Sequence, residues 1–219
     1  MIVAIDGPAA SGKSTTAKMV AKELEMTYLD TGAMYRAVTL ALLRSNIDLN
    51  DSDSVCQVVD ELELDIYDEG SKTIVKLNGE DVSEVIRSMP VTESVSAVSA
   101  MKYVRQTMVK IQRNIGEKTN CVVEGRDIGT VVFPDAEFKI FMVADVNMRA
   151  ERRFKEIHEM GENRSFKDVL ADLKRRDEKD STRPHSPLQK ADEAIEIDTS
   201  MLSIDQQVEK IINIVKKNN

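Results

Sequence analysis

The chain has 219 residues, a net charge of −8 and a sequence pI near 5.0, and this acidic balance argues against a broad nucleic-acid-binding face. No apolar run approaches the roughly 18 residues of a membrane span, so we do not expect a membrane partner. Because of the acidic charge, we do not expect a nucleic-acid partner either. Cys56 and Cys121 stand alone, and His158 with His185 is too sparse for zinc, which indicates a protein of the reducing cytoplasm.

The first predicted elements are a strand, a glycine loop and a helix. The apolar run 1–5 is typical of a buried parallel strand, and residues 15–24 carry apolar side chains at helical spacing. The loop between them, Gly7-Pro8-Ala9-Ala10-Ser11-Gly12-Lys13-Ser14, fits Gly-x4-Gly-Lys-Ser, the phosphate-binding P-loop, in its proper context. An ordinary glycine turn before a helix is the alternative. The motif predicts that the chain binds a nucleoside triphosphate.

The residue types of this loop fit phosphate chemistry. Gly7 and Gly12 let the backbone turn tightly so that successive N–H groups converge on an anion. Lys13 would reach the β- and γ-phosphates, and the Ser14 hydroxyl would coordinate Mg²⁺. The residues predicted to bind ATP are Gly7, Pro8, Ala9, Ala10, Ser11, Gly12, Lys13, Ser14 and Thr15.

A second strand is predicted over residues 27–29, and a helix over 33–44 follows it. Tyr35 and Arg36 fall early in this helix, just beyond the strand end, which is where ligands bind in a parallel α/β sheet. A packed tyrosine and a solvated arginine are the alternative for these two positions.

The pattern of apolar and polar residues changes in the middle of the chain. After a predicted helix at 52–61, short alternating runs at 64–67, 73–77 and 80–82 are separated by Asp-Glu-Gly-Ser and Asn-Gly turns. This pattern predicts a small antiparallel sheet inserted into the α/β chain. Pro90 then starts one long predicted helix over 91–116.

The last hundred residues return to strands and helices. Strands are predicted at 121–123, 138–143 and 194–197, and helices at 147–160, 165–179 and 203–217, with a polar loop over 176–184. Five short apolar strands alternating with helices predict a parallel sheet covered by helices on both faces.

Charged residues follow several of these strands. If the strands lie side by side, their carboxyl ends gather Lys13, Arg36, Arg126 and Asp127 around one crevice, and the polar loop could add Arg176 and Arg183. Several arginines facing a P-loop indicate a site for more than one phosphate group. Neither histidine lies at a strand end, and a phosphate acceptor needs no base because it attacks as an anion. Asp127 stays open as a base for an alcohol acceptor.

Four motifs taken together resemble the bacterial cytidylate kinases. They are Gly-Pro-Ala-Ala-Ser-Gly-Lys-Ser, Tyr-Leu-Asp-Thr-Gly-Ala-Met-Tyr-Arg, Glu-Gly-Arg-Asp-Ile-Gly-Thr-Val-Val-Phe-Pro-Asp-Ala and Arg-Arg-Asp-Glu-Lys-Asp-Ser-Thr-Arg. The resemblance covers the whole chain and implies a five-stranded P-loop kinase core with a small antiparallel β insertion and a helical lid. It places the core at 1–61 and 90–219, with the lid at about 152–190. Residues 62–89 would form the inserted subdomain of the monophosphate-binding region.

The resemblance also implies a role for each site residue. Arg36, Arg126, Arg176 and Arg183 would hold the CMP phosphate or the phosphoryl group in flight, the last three as catalytic residues with Lys13. Thr31 and Tyr35 would line the nucleoside, Asp180 would contact its sugar, and Ser96, Arg105 and Asp127 would read the cytosine edge.

The implied activity is transfer of the γ-phosphoryl group of ATP, with Mg²⁺, to CMP or dCMP, which gives ADP and CDP or dCDP. We expect the protein to be a monomer.

A GTPase switch is one alternative function. It would need Asn-Lys-x-Asp and Asp-x-x-Gly, and neither pattern occurs in the sequence. A nucleotide-responsive binding module without turnover is a second alternative. An adenylate, thymidylate or shikimate kinase is the nearest one.

Overall fold

The computed structural model describes residues 1–69, 72–159 and 161–217. We number its elements in chain order, and they are β1 (Ile2–Asp6), α1 (Lys13–Glu23), β2 (Thr27–Asp30), α2 (Thr31–Arg44), α3 (Ser52–Asp60), β3 (Leu64–Glu69), β4 (Lys72–Leu77), β5 (Glu80–Asp81), α4 (Met89–Val98), α5 (Lys102–Gly116), β6 (Cys121–Gly125), β7 (Phe138–Val143), α6 (Val146–Glu159), α7 (Phe166–Thr182), β8 (Ile195–Asp198) and α8 (Ile204–Lys217). Two compact units are present, one formed by residues 1–28 with 119–219 and the other by 29–118.

The predicted five-stranded sheet is confirmed. Its strand order is β2-β6-β1-β7-β8, and β1 pairs in parallel with both β6 and β7. At the end of β1, Asp6 lies level with Gly125 on one side and Phe141 on the other. The P-loop that follows β1 and the loop that follows β6 therefore leave the sheet at the same edge.

One face of the sheet packs against α1 and α8. Val3, Ile5 and Val122 contribute from the strands, while Val20 and Ile211 contribute from the two helices. All five of these side chains are fully buried. Each such side chain contributes roughly 1.5–3 kcal/mol relative to an exposed one, so this face fixes the strand from which the P-loop starts.

The passage from β1 into the P-loop requires glycine. A Cβ built on Gly7 would lie 2.1 Å from the backbone oxygen of Met142 on β7. That separation is far inside van der Waals contact, so any larger residue would push the P-loop away from the sheet.

The unit at 29–118 contains the predicted antiparallel sheet, with strand order β3-β4-β5. Val75 and Leu77 of β4 pack in one buried cluster with Ala37 and Leu40 of α2, so the sheet rests on that helix. The turn predicted at Gly70 and Ser71 lies outside the described residues.

Two predictions about helices were wrong. The single helix expected over 91–116 is two helices, α4 and α5, because Met101 is extended (φ −67°, ψ 127°) and caps a new helix. The guanidinium of Arg105 holds this break by donating to the Ser99 carbonyl oxygen at 3.1 Å. The loop expected from 176 is helical as far as Thr182, whose hydroxyl donates back to the Glu178 carbonyl oxygen at 2.7 Å.

None of the helices in the described part of the chain is both long enough and apolar enough to cross a membrane.

Gln112 on α5 provides a stability test of the unit at 29–118. Its side chain is fully buried, and neither its amide nitrogen nor its amide oxygen has a hydrogen-bond partner among the described residues. Because an unsatisfied buried amide costs about 1–3 kcal/mol, Gln112→Met should raise the free energy of unfolding by about 1 kcal/mol or more. Denaturant unfolding measures this, with Gln106→Met, exposed on the same helix, as the matched control. A destabilised Gln112→Met variant would show that the Gln112 amide does not cost the folded state free energy.

Candidate active site

The backbone of the P-loop is held by its carbonyl groups. Four of its carbonyl oxygens accept a hydrogen bond; these pairs are Pro8 with Lys13 Nζ (2.7 Å), Ala9 with Arg149 Nη1 (3.1 Å), Ser11 with Thr199 Oγ1 (2.9 Å) and Gly12 with the Thr16 amide (3.1 Å). In a trans peptide the C=O and N–H groups point in opposite directions, so the N–H groups of these units point away from those partners. Gly12 is left-handed (φ 93°), which turns the loop into a concave set of amides suited to phosphate.

Lys13 lies at the centre of this loop and only 4% of its surface is exposed. Burial, together with the charges of Arg126 and Arg176, lowers the pKa of Lys13 to about 7, although Glu124 and Asp6 act in the opposite direction. Its charged form is therefore poorly stabilised without an anion. Bound phosphate would supply the missing negative charge and restore the ordinary pKa.

Asp6 holds the loop that follows β6. Its two carboxylate oxygens accept hydrogen bonds from the backbone N–H groups of Ile128 and Gly129, each at 2.8 Å. Burial raises the pKa of Asp6 to about 6, although these two hydrogen bonds favour the ionised form. The contact fixes the start of the loop segment that carries Arg126 and Asp127.

Ion pairs organise the predicted arginines of this unit. Arg126 Nε lies 3.0 Å from a carboxylate oxygen of Asp180, and Arg183 Nη2 lies 3.4 Å from Asp127. Arg176 lies near enough for its charge to lower the pKa of Lys13. The structure thus brings Lys13, Arg126 and Arg176 close enough for both arginine charges to act on the lysine.

Arg149 joins the P-loop to α7. Besides its contact with Ala9, its Nη2 lies 2.7 Å from a carboxylate oxygen of Asp177, and its side chain is buried. Ala9 also packs in one cluster with Val169 and Leu173 of α7. The helix that carries Arg176 and Asp180 is therefore anchored to the phosphate loop by both a polar and an apolar contact.

The Ser14 hydroxyl meets a carboxylate. It donates to Oε2 of Glu124 at 2.9 Å, and the Tyr28 hydroxyl donates to Oε1 of the same residue. Among the described residues, no group of three or more His, Cys, Asp or Glu side chains could hold a metal ion. A single hydroxyl beside a carboxylate fits Mg²⁺, which is commonly held by nucleotide phosphates, waters and one or two protein oxygens.

The remaining predicted residues lie in the unit at 29–118. Tyr35 and Arg105 form a pair, with the guanidinium 5.4 Å from the ring centroid. Arg36 donates to Thr92 Oγ1 at 2.9 Å, and Thr31 is buried at the start of α2. The Ser96 hydroxyl on α4 is buried and has no hydrogen-bond partner among the described residues.

Sequence reasoning missed several residues that hold the site, namely Asp6, Tyr28, Arg149 and Thr199. Each acts through a contact with a residue more than 90 positions away, so no local spacing marks it. The only sequence signal was position: Asp6 immediately precedes the P-loop.

The comparisons with known proteins agree with this geometry. A family model described as cytidylate kinase matches residues 3–217. The cytidylate kinase of Lactobacillus johnsonii is 48% identical over 217 residues, covering 99% of this chain and 94% of that protein. The one from Halalkalibacterium halodurans is also 48% identical, with 99% and 98% covered. The crystal structure of shikimate kinase from Bacteroides thetaiotaomicron aligns with a TM-score of 0.50 at 9% identity, covering 99% of this chain and 98% of that one, a likeness of fold alone.

Because the pKa of Lys13 is lowered, we expect the protein to take up a proton when it binds nucleotide. With a pKa of about 7 in the free protein, Lys13 is mostly neutral at pH 8. A bound phosphate raises that pKa, so ADP binding at pH 8 should take up about 0.5–1 proton, and the uptake should decline as the pH falls below 7. Calorimetry in buffers of different ionisation enthalpy measures the uptake. Lys13→Met should abolish it and Lys22→Met, exposed on the same helix, should not; uptake persisting in Lys13→Met would assign the proton elsewhere.

Proposed function

We propose a role for each residue of the site from one premise: the chain belongs to the cytidylate kinase family. It is an ATP-dependent kinase that phosphorylates CMP, giving CDP and ADP. The observation that carries this function is similarity to cytidylate kinases along almost the whole chain. We extend the acceptor to dCMP, and we retain the cytoplasmic location and the monomeric state as predictions.

The P-loop binds the phosphates of ATP. Its amide groups receive the phosphate oxygens, and Lys13 regains its charge against the β- and γ-phosphates. Because little covalent chemistry is asked of the protein in phosphoryl transfer, positioning and charge stabilisation supply most of the catalysis. Lys13, Arg126, Arg176 and Arg183 provide that charge, which is the proposed catalytic set.

No general base is needed for this acceptor. The CMP phosphate attacks as an anion, so no proton must be removed from the nucleophile. Asp127 is the candidate base that the sequence left open, and its carboxylate pairs with Arg183. This pairing supports a mechanism in which Asp127 does not act as a base. We assign Asp127 instead to the cytosine edge, where a carboxylate accepts from the amino group.

We assign Mg²⁺ to the Ser14 hydroxyl together with the phosphates of ATP. When bound, the ion neutralises phosphate charge that develops during transfer. Glu124 accepts a hydrogen bond from the Ser14 hydroxyl, which leaves the lone pairs of the hydroxyl oxygen for the cation.

The unit at 29–118 binds the nucleoside part of CMP. Thr31 and Tyr35 line it, Arg36 holds its phosphate, and Ser96 with Arg105 reads the base. The buried Ser96 hydroxyl supports this role, since a ligand would satisfy a group that costs free energy when unpaired. We also assign Asp180 to the sugar; its carboxylate lies 3.0 Å from Arg126 Nε.

We divide the chain by function into a core at 1–61 and 90–219, a lid at about 152–190 and an inserted subdomain at 62–89. In this division α6 and α7 form the lid, and they pack together in one small cluster with Ile157, Val169 and Leu173. Ala9 of the P-loop belongs to the same cluster, so the lid stays attached to the phosphate loop at this point. Closure of such an element would exclude water and protect ATP from hydrolysis.

An acceptor panel tests the function. With ATP and Mg²⁺, the kcat/KM for CMP and dCMP should exceed that for AMP and dTMP by at least about tenfold, because base-edge hydrogen bonds discriminate strongly. Shikimate should give no turnover. ADP formation in a coupled assay measures this, and a preference for another acceptor, or ADP formation independent of CMP, would overturn the proposal.

Base choice tests the roles of Ser96 and Arg105. Cytosine presents an unprotonated N3 where uracil presents an N–H, and an ionised arginine can only donate. Arg105→Met should therefore lower kcat/KM for CMP by about 10²-fold or more while lowering it much less for UMP, and Ser96→Ala should act in the same direction. Arg113→Met, exposed on the same helix, is the control. Equal losses on both substrates would show that these residues position the nucleotide without reading its base.

A further inference from the structure

Tyr28 lies outside every role assigned above. It belongs to β2, its ring packs in the buried cluster formed by the sheet with α1 and α8, and only 6% of its surface is exposed. Its hydroxyl nevertheless donates to Oε1 of Glu124 on β6. The two strands are neighbours in the sheet, so this contact joins side chains that the strand pairing places next to each other.

Glu124 is held at both carboxylate oxygens. Oε1 accepts from Tyr28, and Oε2 accepts from the Ser14 hydroxyl at 2.9 Å. Glu124 itself is 4% exposed, so water has little access to compete for these bonds. A hydrogen-bonded series therefore runs from a core tyrosine through a buried carboxylate to the hydroxyl that begins α1.

The direction of the proton in this series matters for a cation. Because the Ser14 proton points to Glu124, the lone pairs of its oxygen are available to a metal ion. That orientation depends on where the carboxylate lies, and a glutamate side chain has several rotatable bonds whose ordering costs free energy. Ser14 alone anchors one oxygen, and Tyr28 supplies the second anchor from a ring buried in a packed cluster.

We propose that Tyr28 is a positioning residue for Mg²⁺: through Glu124 it fixes the Ser14 hydroxyl in the orientation that coordinates the ion. The inference rests on the proposed assignment of Mg²⁺ to Ser14. Tyr28 does not touch nucleotide or metal in this scheme, and its hydroxyl acts only through the carboxylate. Groups that orient a metal ligand are typically worth about 10- to 100-fold in metal affinity, and one further bond away we expect about three- to tenfold.

The test is Tyr28→Phe, which removes the hydroxyl and keeps the ring in its packed cluster. Titration calorimetry gives the Kd of ADP with EDTA and with saturating Mg²⁺, and the ratio of the two is the enhancement due to the metal. The enhancement should fall about three- to tenfold in Tyr28→Phe, while the Kd of ADP without metal stays within about twofold of the unmodified protein. Tyr103→Phe is the matched control, since that hydroxyl also donates to a carboxylate, that of Asp60 in the other unit.

Three outcomes would overturn the inference: an unchanged enhancement in Tyr28→Phe, an equal loss of ADP affinity with and without Mg²⁺, or an unmodified protein that shows no enhancement. Glu124→Gln provides a second variant, because its amide group can accept at only one atom, and it should lose at least as much enhancement as Tyr28→Phe. Failure of the proposed function is visible separately, in the unmodified protein, as an absence of CMP phosphorylation.

Discussion

The site depends on a buried lysine whose charged form the folded protein stabilises poorly. Lys13 lies inside the phosphate loop with Arg126 and Arg176 near it, and burial with these charges lowers its pKa to about 7. The loop around it has its carbonyl groups occupied, so its amide groups also present positive partial charge. An anion supplied by the substrate would therefore stabilise both Lys13 and these amide groups.

The surrounding structure serves to keep this arrangement in place. Asp6 accepts a hydrogen bond from the loop that follows β6. Arg149 joins the P-loop to α7 through an ion pair, and Glu124 accepts a hydrogen bond from the Ser14 hydroxyl. Each is a buried charged group with hydrogen-bond partners, which is the condition under which burial of charge is tolerated. Rigidity of this kind lowers the reorganisation needed when the phosphates arrive, which is the physical basis of catalysis by preorganised charge.

The sequence predicted the architecture and the chemistry better than the details of geometry. Apolar runs and glycine loops located all five strands of the sheet, because those signals are local. The roles of Lys13 and Ser14 in the P-loop stay predictions. The break between α4 and α5 was not predicted because the apolar spacing continues through it, while the Arg105 side chain bonds the Ser99 carbonyl six residues earlier and Met101 is extended. The sequence indicated only an ordinary strand residue at Tyr28, because its partner Glu124 lies 96 positions further along the chain.

The most direct test of the central claim is thermal unfolding of Lys13→Met at pH 6, with and without ADP. At that pH, below its lowered pKa, Lys13 is charged in both the folded and the unfolded chain, so its buried charge destabilises the folded state. This cost declines only gradually as the pH rises from about 7 towards the ordinary lysine pKa of 10.5. The account predicts that the variant without nucleotide is at least as stable as the unmodified protein, and that ADP raises its Tm by much less than it raises that of the unmodified protein. A variant that is less stable alone but is stabilised by ADP as strongly as the unmodified protein would show that Lys13 supports the fold and not the phosphate site.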